Sequence, residues 1–515
     1  MDEVNWVALL VFVALFGFIT WLGFAAAQWR KGDLDLLHEW GLGGRRFGTV
    51  VVWFLIGGDL YTAYTFIAVP ALVYGAGALG FFAIPYAIVA YPLLFLAFPR
   101  IWHVCHRHHY ITAADFVRGR FGNRWLALAI TVTGIVATMP YIALQLVGLQ
   151  VVVGALGISG SGLAADLPLI IAFLVLAAFT YSSGLRAPAS IAIVKDMLIY
   201  VTALAALIVI PVELGGFGEI FAAVPPQKLL LATPTGNTTG AYSSYATLAL
   251  GSAIALFLYP HSITGILSAS SGHVIRRNAA MLPGYTLMLG LLALLGFFAI
   301  AAGVANLPEY DNGFKQFGNN FAVPALFLHS FPSWFVGIAL AAIGIGALVP
   351  AAIMSIAAAN LYTRNIHREF INRNPTDRQE SQMAKWVSLV VKLGALLFIL
   401  FVPTQYAIQL QLLGGIWIIQ TLPAVMLGAY TRWFNDWALL LGWAAGTAAG
   451  TAMAYSANWT ATYPLPLGGY TFPGYTALYT VILNLVVAAG LTPVLTAMSA
   501  KRKHFDETVP ADYHA

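Results

Sequence analysis

Three ionisable side chains lie inside long apolar stretches of this chain, and each needs a chemical reason to be there. Asp59 follows two glycines in FLIGGDLYTAYTFIAVP, residues 54–70. His261 follows Pro260 in LGSAIALFLYPHSITGILS, residues 250–268, and Lys392 lies in VSLVVKLGALLFIL, residues 387–400. A charge held in hydrocarbon costs about 2.5–3.5 kcal/mol on insertion scales, so such a group faces a cavity and a partner. Asp59 can complete an oxygen shell around a hard cation, or cap the end of a broken helix. His261 can bond to backbone groups freed at Pro260, or donate to an anionic ligand. Lys392 can pair with a carboxylate, of a solute or of Asp59. It can also run its apolar stem toward the interface, since Lys385 is seven residues or about 10 Å away.

The elements that must position these groups are membrane spans. The 515 residues are 60% hydrophobic and 9% charged, against roughly 25% charged in a soluble domain. Thirteen apolar runs have the length of a spanning helix, near 4–28, 47–75, 79–101, 125–156, 166–184, 189–213, 243–270, 279–304, 332–362, 386–402, 405–430, 435–456 and 474–498. The first opens with acidic MDEVN and is too long for a signal segment, so it is expected to persist as a helix. The formal charge of +5 does not point to nucleic acid, because 22 of the 25 Lys and Arg residues fall in alternate loops. Only Lys228, Lys315 and Lys392 fall elsewhere. By the positive-inside rule the basic loops are cytoplasmic, the amino terminus is outside and the carboxyl terminus is inside. Arg186 and Lys195 count among those loop residues. The single Cys105 excludes an internal disulfide.

Two runs carry helix breakers at mid-length: Gly57, Gly58 and Pro70 in the second, and Gly251, Pro260 and Gly265 in the seventh. Proline removes a backbone donor and clashes with the carbonyl one turn back, and freed backbone groups in a bilayer need a cavity or partner. The two broken runs open two groups of five helices that start on opposite faces, as an inverted-repeat transporter requires. The expected organisation is a leading helix and link (1–46), a first repeat (47–215), an external loop (216–242), a second repeat (243–431), two further helices (432–498) and a tail (499–515).

The chain resembles the sodium:solute symporter family over nearly its whole length. The resemblance is carried, in order, by IGGDLYTAYTF, SGLRAPASIAIVKD, YPHSITGI, AAIMSIAAANLYTRNIHRE and LLGGIWIIQTLPAVMLGAY. It is nearest to the branch of bacterial monocarboxylate permeases, with pantothenate permeases as near relatives. The resemblance implies an all-α membrane protein of about 13 transmembrane helices. The first helix of each five-helix repeat is broken, as in the leucine transporter. It also implies a sodium ion bound by the carbonyls of Gly57, Leu60 and Ala352 and the hydroxyl of Ser355, beside Asp59. The family usually has two adjacent hydroxyl residues where this chain reads Ser355 and Ile356, so either another group completes the shell or protons are the coupling ion. Asp196 matches an acidic family position thought to help the released cation leave; its residue type equally suits a solvated helix start.

Tyr61, Thr62 and Tyr64 after the first break, Tyr259 before the second, Gln145, Gln411 and Trp417 are able, with His261 and Lys392, to line a pocket for a small solute. HVCHRHHY, residues 103–110, offers metal-ligand types at a helix end among arginines, where a solvated interface is the simpler account. The resulting expectation is a symporter of the bacterial inner membrane, not an enzyme, that couples sodium or protons to uptake of a small organic anion. Pyruvate or lactate is the leading substrate and pantothenate an alternative. Its partners would be the solute and the lipid bilayer, with no cofactor beyond the coupling ion. A haem subunit is disfavoured because no span carries a convincing pair of histidines. A solute sensor that binds without transporting would show no accumulation in vesicles.

Overall fold

The computed structural model describes residues 4–28, 32–58, 60–158, 163–401, 407–498 and 505–514. Apolar runs become helices in the expected order. The chain begins with α1 (Trp6–Ala25) and α2 (Thr49–Gly57). After α2 it loses regular structure, makes a π-helical turn over Tyr64–Ala68 and resumes as α3 (Val69–Ala76). There follow α4 (Ala83–Arg107), α5 (Ala113–Phe121), α6 (Arg124–Ala155), α7 (Leu163–Ser183) and α8 (Arg186–Glu213). The second half holds α9 (Gly240–Leu256), α10 (Pro260–Leu267), α11 (Gly272–Met281), α12 (Pro283–Ala293) and α13 (Leu295–Ala301). It continues with α14 (Ser333–Tyr362), α15 (Asp377–Phe401), α16 (Ala407–Ile418), α17 (Asp436–Ser456) and α18 (Thr476–Met498).

Among the described residues eight helical stretches are long and apolar enough to cross a membrane, or nine if the bent pair α9 and α10 is one span. Breaks such as the one after Gly57 cut other apolar runs below that length. The α9–α10 bend of 47° falls at Pro260, which takes the first helical position of α10, where its missing N–H costs nothing.

Helix α14 is the axis of the molecule, almost wholly buried, with α1, α6, α8, α10 and α15 packed around it. Small residues make this possible: a methyl at Gly337 would run into the backbone of Ala8 on α1. The two broken helices touch each other as well. A methyl added at Gly265 on α10 would lie 3.5 Å from Ile56 on α2, ordinary van der Waals contact.

Two features were not read from the sequence. Strands β1 (Thr462–Leu467) and β2 (Tyr470–Tyr475) form an antiparallel hairpin whose turn, Gly468 and Gly469, has φ of 59° and 80°. Two consecutive positive-φ residues match the strand twist of a two-residue hairpin and suit glycine. The hairpin rests on α9, where the Tyr475 amide donates to Thr247 Oγ1 at 2.9 Å. Residues 505–514 are clasped to the arginine-rich end through Arg120 to Asp506 (2.8 Å) and Arg107 to Asp512 (2.9 Å).

Candidate functional site

The first break is built around a charged pair. Helix α2 makes its last regular hydrogen bond from Gly58 N to Phe54 O, at 2.9 Å. Beyond it, the carbonyls of Gly58 and Tyr61 accept from Lys195 Nζ at 2.6 and 2.8 Å. The same ammonium lies 3.0 Å from Asp196 Oδ1, and the Tyr285 hydroxyl donates to Asp196 Oδ2 at 2.7 Å. Lys195 and Asp196 are both fully buried. Lys195 is therefore not a loop base: it lies nine residues into α8, about 13 Å along the helix. Its companion Arg186 is buried too, bonded to the Glu39 carboxylate and, at 2.8 Å, to the Glu39 carbonyl. Asp196 is correspondingly an ion-paired core carboxylate and not a solvated helix start.

Two further backbone amides of the break are satisfied by side chains. Ala63 N donates to Gln145 Oε1 on α6 at 3.3 Å, and Tyr64 N to Thr62 Oγ1 at 3.0 Å. Tyr61 donates its hydroxyl to the Tyr285 carbonyl at 3.1 Å, with their rings 4.4 Å apart. Gly57 has to be glycine for this packing, since a methyl there would collide with the Tyr285 ring. Asp59 lies outside the described residues.

The expected sodium oxygens hold hydrogen bonds from within the chain. Gly57 O accepts from the amides of Leu60 (2.9 Å) and Tyr61 (3.3 Å), and Leu60 O accepts from the Thr65 hydroxyl. On α14, Ser355 Oγ donates to Ala352 O at 2.8 Å, one turn back on its own helix. The cation that the carbonyls at this break do hold is the ammonium of Lys195.

At the second break the Tyr259 hydroxyl donates to Gln411 O at 2.9 Å, and Tyr475 to Leu412 O at 2.6 Å. His261 is buried between Tyr141 and Tyr259, with ring centroids 5.2 and 5.3 Å away. Helix α16, which carries Gln411, packs against both α6 and the π-turn that carries Tyr64. Among the described residues, three buried polar atoms on these elements have no hydrogen-bond partner: Tyr64 Oη, Gln145 Nε2 and Gln411 Oε1. Buried polar groups are normally paired, so two orphaned donors beside a helix break mark a place for an acceptor.

Two expected pocket residues are directed elsewhere. Trp417 Nε1 donates to Thr451 on α17 at 3.1 Å, so its polar edge faces the added helices. Lys392 is buried, and its ammonium reaches back to Ser388 O on its own helix at 3.4 Å. The histidines of residues 103–110 diverge: His108 pairs with Asp512 (2.8 Å), while His106 stacks on Trp102. Among the described residues no three His, Cys, Asp or Glu side chains gather as a metal site.

The arginine-rich end opens into a cavity of 680 Å³ lined by Arg45, His109, Ile111, Arg364 and Glu380. Ile111 also lines a narrow inner cavity of 20 Å³ that reaches Pro260, Ile263 and Thr264 of α10. The two cavities share Ile111 in their walls.

Lys195 was missed because it was counted with the loops; a KD pair in an apolar run was the available signal. Tyr285, Tyr141 and Tyr475 carry no local signal, because they reach the breaks only through tertiary packing.

Over 504 residues the chain is 51% identical to a protein of Rhizobium johnstonii (strain DSM 114642 / LMG 32736 / 3841) named monocarboxylate transport permease protein, covering 97% of this chain and 99% of that one. A Bacillus subtilis (strain 168) protein named uncharacterized symporter YodF is 32% identical over 504 residues, 97% of this chain and 98% of its own. The fold is similar to that of a Na+-coupled sialic acid symporter solved in a substrate-bound outward-open state. The TM-score is 0.75 at 16% identity, with 95% and 98% of the two chains covered. At that identity the likeness shows the fold alone. The family model described as "Sodium:solute symporter family" matches residues 40–446, and together with these relatives it establishes that the chain belongs to the sodium:solute symporter family.

Proposed function

We propose that this protein takes up a small monocarboxylate, such as pyruvate or lactate, across the bacterial inner membrane, driven by an inward gradient of sodium or protons. The observation that carries the reading is the pair of orphaned buried donors, Tyr64 Oη and Gln145 Nε2, beside the first break. A carboxylate is acceptor-only and has lone pairs for both. The relative named a monocarboxylate transport permease, at 51% identity over almost the full length of both chains, supports the same substrate class. The solute would lie between the two broken helices and the scaffold of α6 and α14, and rocking of one group against the other would expose it to each side in turn. In this reading the thirteen apolar runs each cross the bilayer. Residues 47–215 and 243–431 are the inverted repeats, and the arginine-rich end with its vestibule is cytoplasmic.

The test is uptake of labelled pyruvate, lactate, acetate and pantothenate into proteoliposomes, with sodium and pH gradients imposed separately. Accumulation of pyruvate or lactate under either gradient is the expected result. Pantothenate alone would move the substrate class, and binding without accumulation of any solute would refute transport.

A further inference from the structure

We propose that the first helix break is a cation site whose resident occupant is the protein's own ammonium, Lys195, and that a free alkali cation enters only when this ammonium is removed. The proposal deepens the symport reading and rests on it for its meaning in transport, but its test does not use transport.

An ammonium has three N–H donors and no acceptor. Among the described residues three oxygens stand around Lys195 Nζ: Gly58 O at 2.6 Å, Tyr61 O at 2.8 Å and Asp196 Oδ1 at 3.0 Å. Backbone carbonyls and a carboxylate are also the donor types that a hard cation takes from a protein. The side chain reaches this position with no exposure to solvent, from a helix whose neighbours α1, α13 and α14 carry no charged residue. Groups able to ionise do face the pair: Tyr61 from the break, Tyr285 from α12 and Tyr200 from α8 itself. Successive residues on a helix point in different directions, so Lys195 meets Asp196 because its stem turns toward the carbonyls of the break. Were the lysine present only to neutralise Asp196, contact with two carbonyls of the segment after α2 would be unnecessary. The ammonium ties α8 to the unwound segment, which is the task a bound ion would perform by bridging the same oxygens.

Removing the ammonium should therefore leave a carboxylate and two carbonyls arranged for sodium. The experiment is thermal unfolding of purified wild type, Lys195→Met and the double variant K195M/D196N, each in choline, lithium or sodium chloride at equal ionic strength. Lys195→Met should gain a saturable, sodium-dependent rise in Tm of about 2 °C or more over its value in choline. Wild type and the double variant should rise by less than half as much. A sodium response in Lys195→Met no larger than in wild type, or fully retained in K195M/D196N, overturns the proposal. Should Lys195→Met fail to give a monodisperse peak in choline, sodium during purification must restore it; failure in sodium as well also overturns the proposal. Absence of pyruvate uptake alongside a sodium-responsive Lys195→Met would remove the transport reading and leave the site. Pyruvate uptake with no new sodium response would do the reverse.

Discussion

The hydroxyl of Tyr285 donates to Asp196 Oδ2 across 2.7 Å, while the carbonyl of the same tyrosine accepts from Tyr61. One residue of α12 thereby holds both the carboxylate of α8 and the unwound turn after α2. A hydrogen bond to a buried charged group contributes about 1.5–3 kcal/mol, and deleting it leaves Asp196 with the ammonium alone. Tyr285→Phe keeps the ring that fills the space beside Gly57, so its effect should be polar and not steric. We expect a lowered Tm and a rate of pyruvate uptake reduced by tenfold or more with insertion unchanged. Uptake within twofold of wild type would show that the Asp196 geometry does not matter to transport.

Gln145 gives its carbonyl oxygen to the Ala63 amide and keeps a buried amide donor without a partner, as Tyr64 keeps its hydroxyl. If these donors receive the carboxylate, Gln145→Leu removes one charge-assisted bond and also exposes the Ala63 amide. The apparent KM for pyruvate should rise about tenfold, the equivalent of about 1.4 kcal/mol. Tyr64→Phe should act in the same direction, and Gln145→Glu more severely, since a second carboxylate repels the substrate. An unchanged KM in all three would place the solute elsewhere.

The architecture was legible wherever local chemistry forces it. Pro260 cannot continue α9, and α2 ends at Gly57 and Gly58 against the Tyr285 ring, so both breaks fall at the helix breakers of the sequence. The site was legible only in part. Lys195 looked like a loop base because it lies near the start of the apolar run 189–213, whereas α8 begins at Arg186 and carries the lysine deep into the protein. Trp417 and Lys392 have the right residue types, but the rotation of a helix about its axis is set by its neighbours. Thr451 and Ser388 receive their polar atoms instead. Tyr285 belongs to a helix with no charge of its own, and only tertiary packing gives it a role.

Ile111 lines both the vestibule at the arginine-rich end and the narrow cavity against Pro260 and Thr264. It lies on the wall the two cavities share, where a route from the second break toward that end would run. Ile111→Trp adds bulk at the constriction while leaving the Asp115 and Asn365 bonds that anchor the start of α5. The expected outcome is a maximal uptake rate reduced several-fold with substrate binding, followed by tryptophan-independent calorimetry, held near its wild-type affinity. Equal loss of binding and rate would mean that the side chain supports the fold and not the route.

Asp512 gives the last prediction, because it clips the carboxyl-terminal segment to the end of α4. Burial alone would push its carboxyl up, but the Val509 amide, His108 and Arg107 bond to it and hold it at about 2. A carboxyl with a depressed folded value contributes stability above its unfolded value, about 3.9, and loses that contribution as the pH falls toward 2. Docking of residues 505–514 should thus be complete from pH 5 upward and weaken between about pH 4 and 2. Hydrogen exchange of those amides measures it directly. Asp512→Asn keeps an acceptor for Val509 but loses the charge opposite Arg107, so its tail should exchange faster at pH 7 and respond less to acid. Wild type and Asp512→Asn losing protection along the same pH curve would assign the acid response to Asp506 or Glu507, which pair with Arg120 and Tyr110 on the same face.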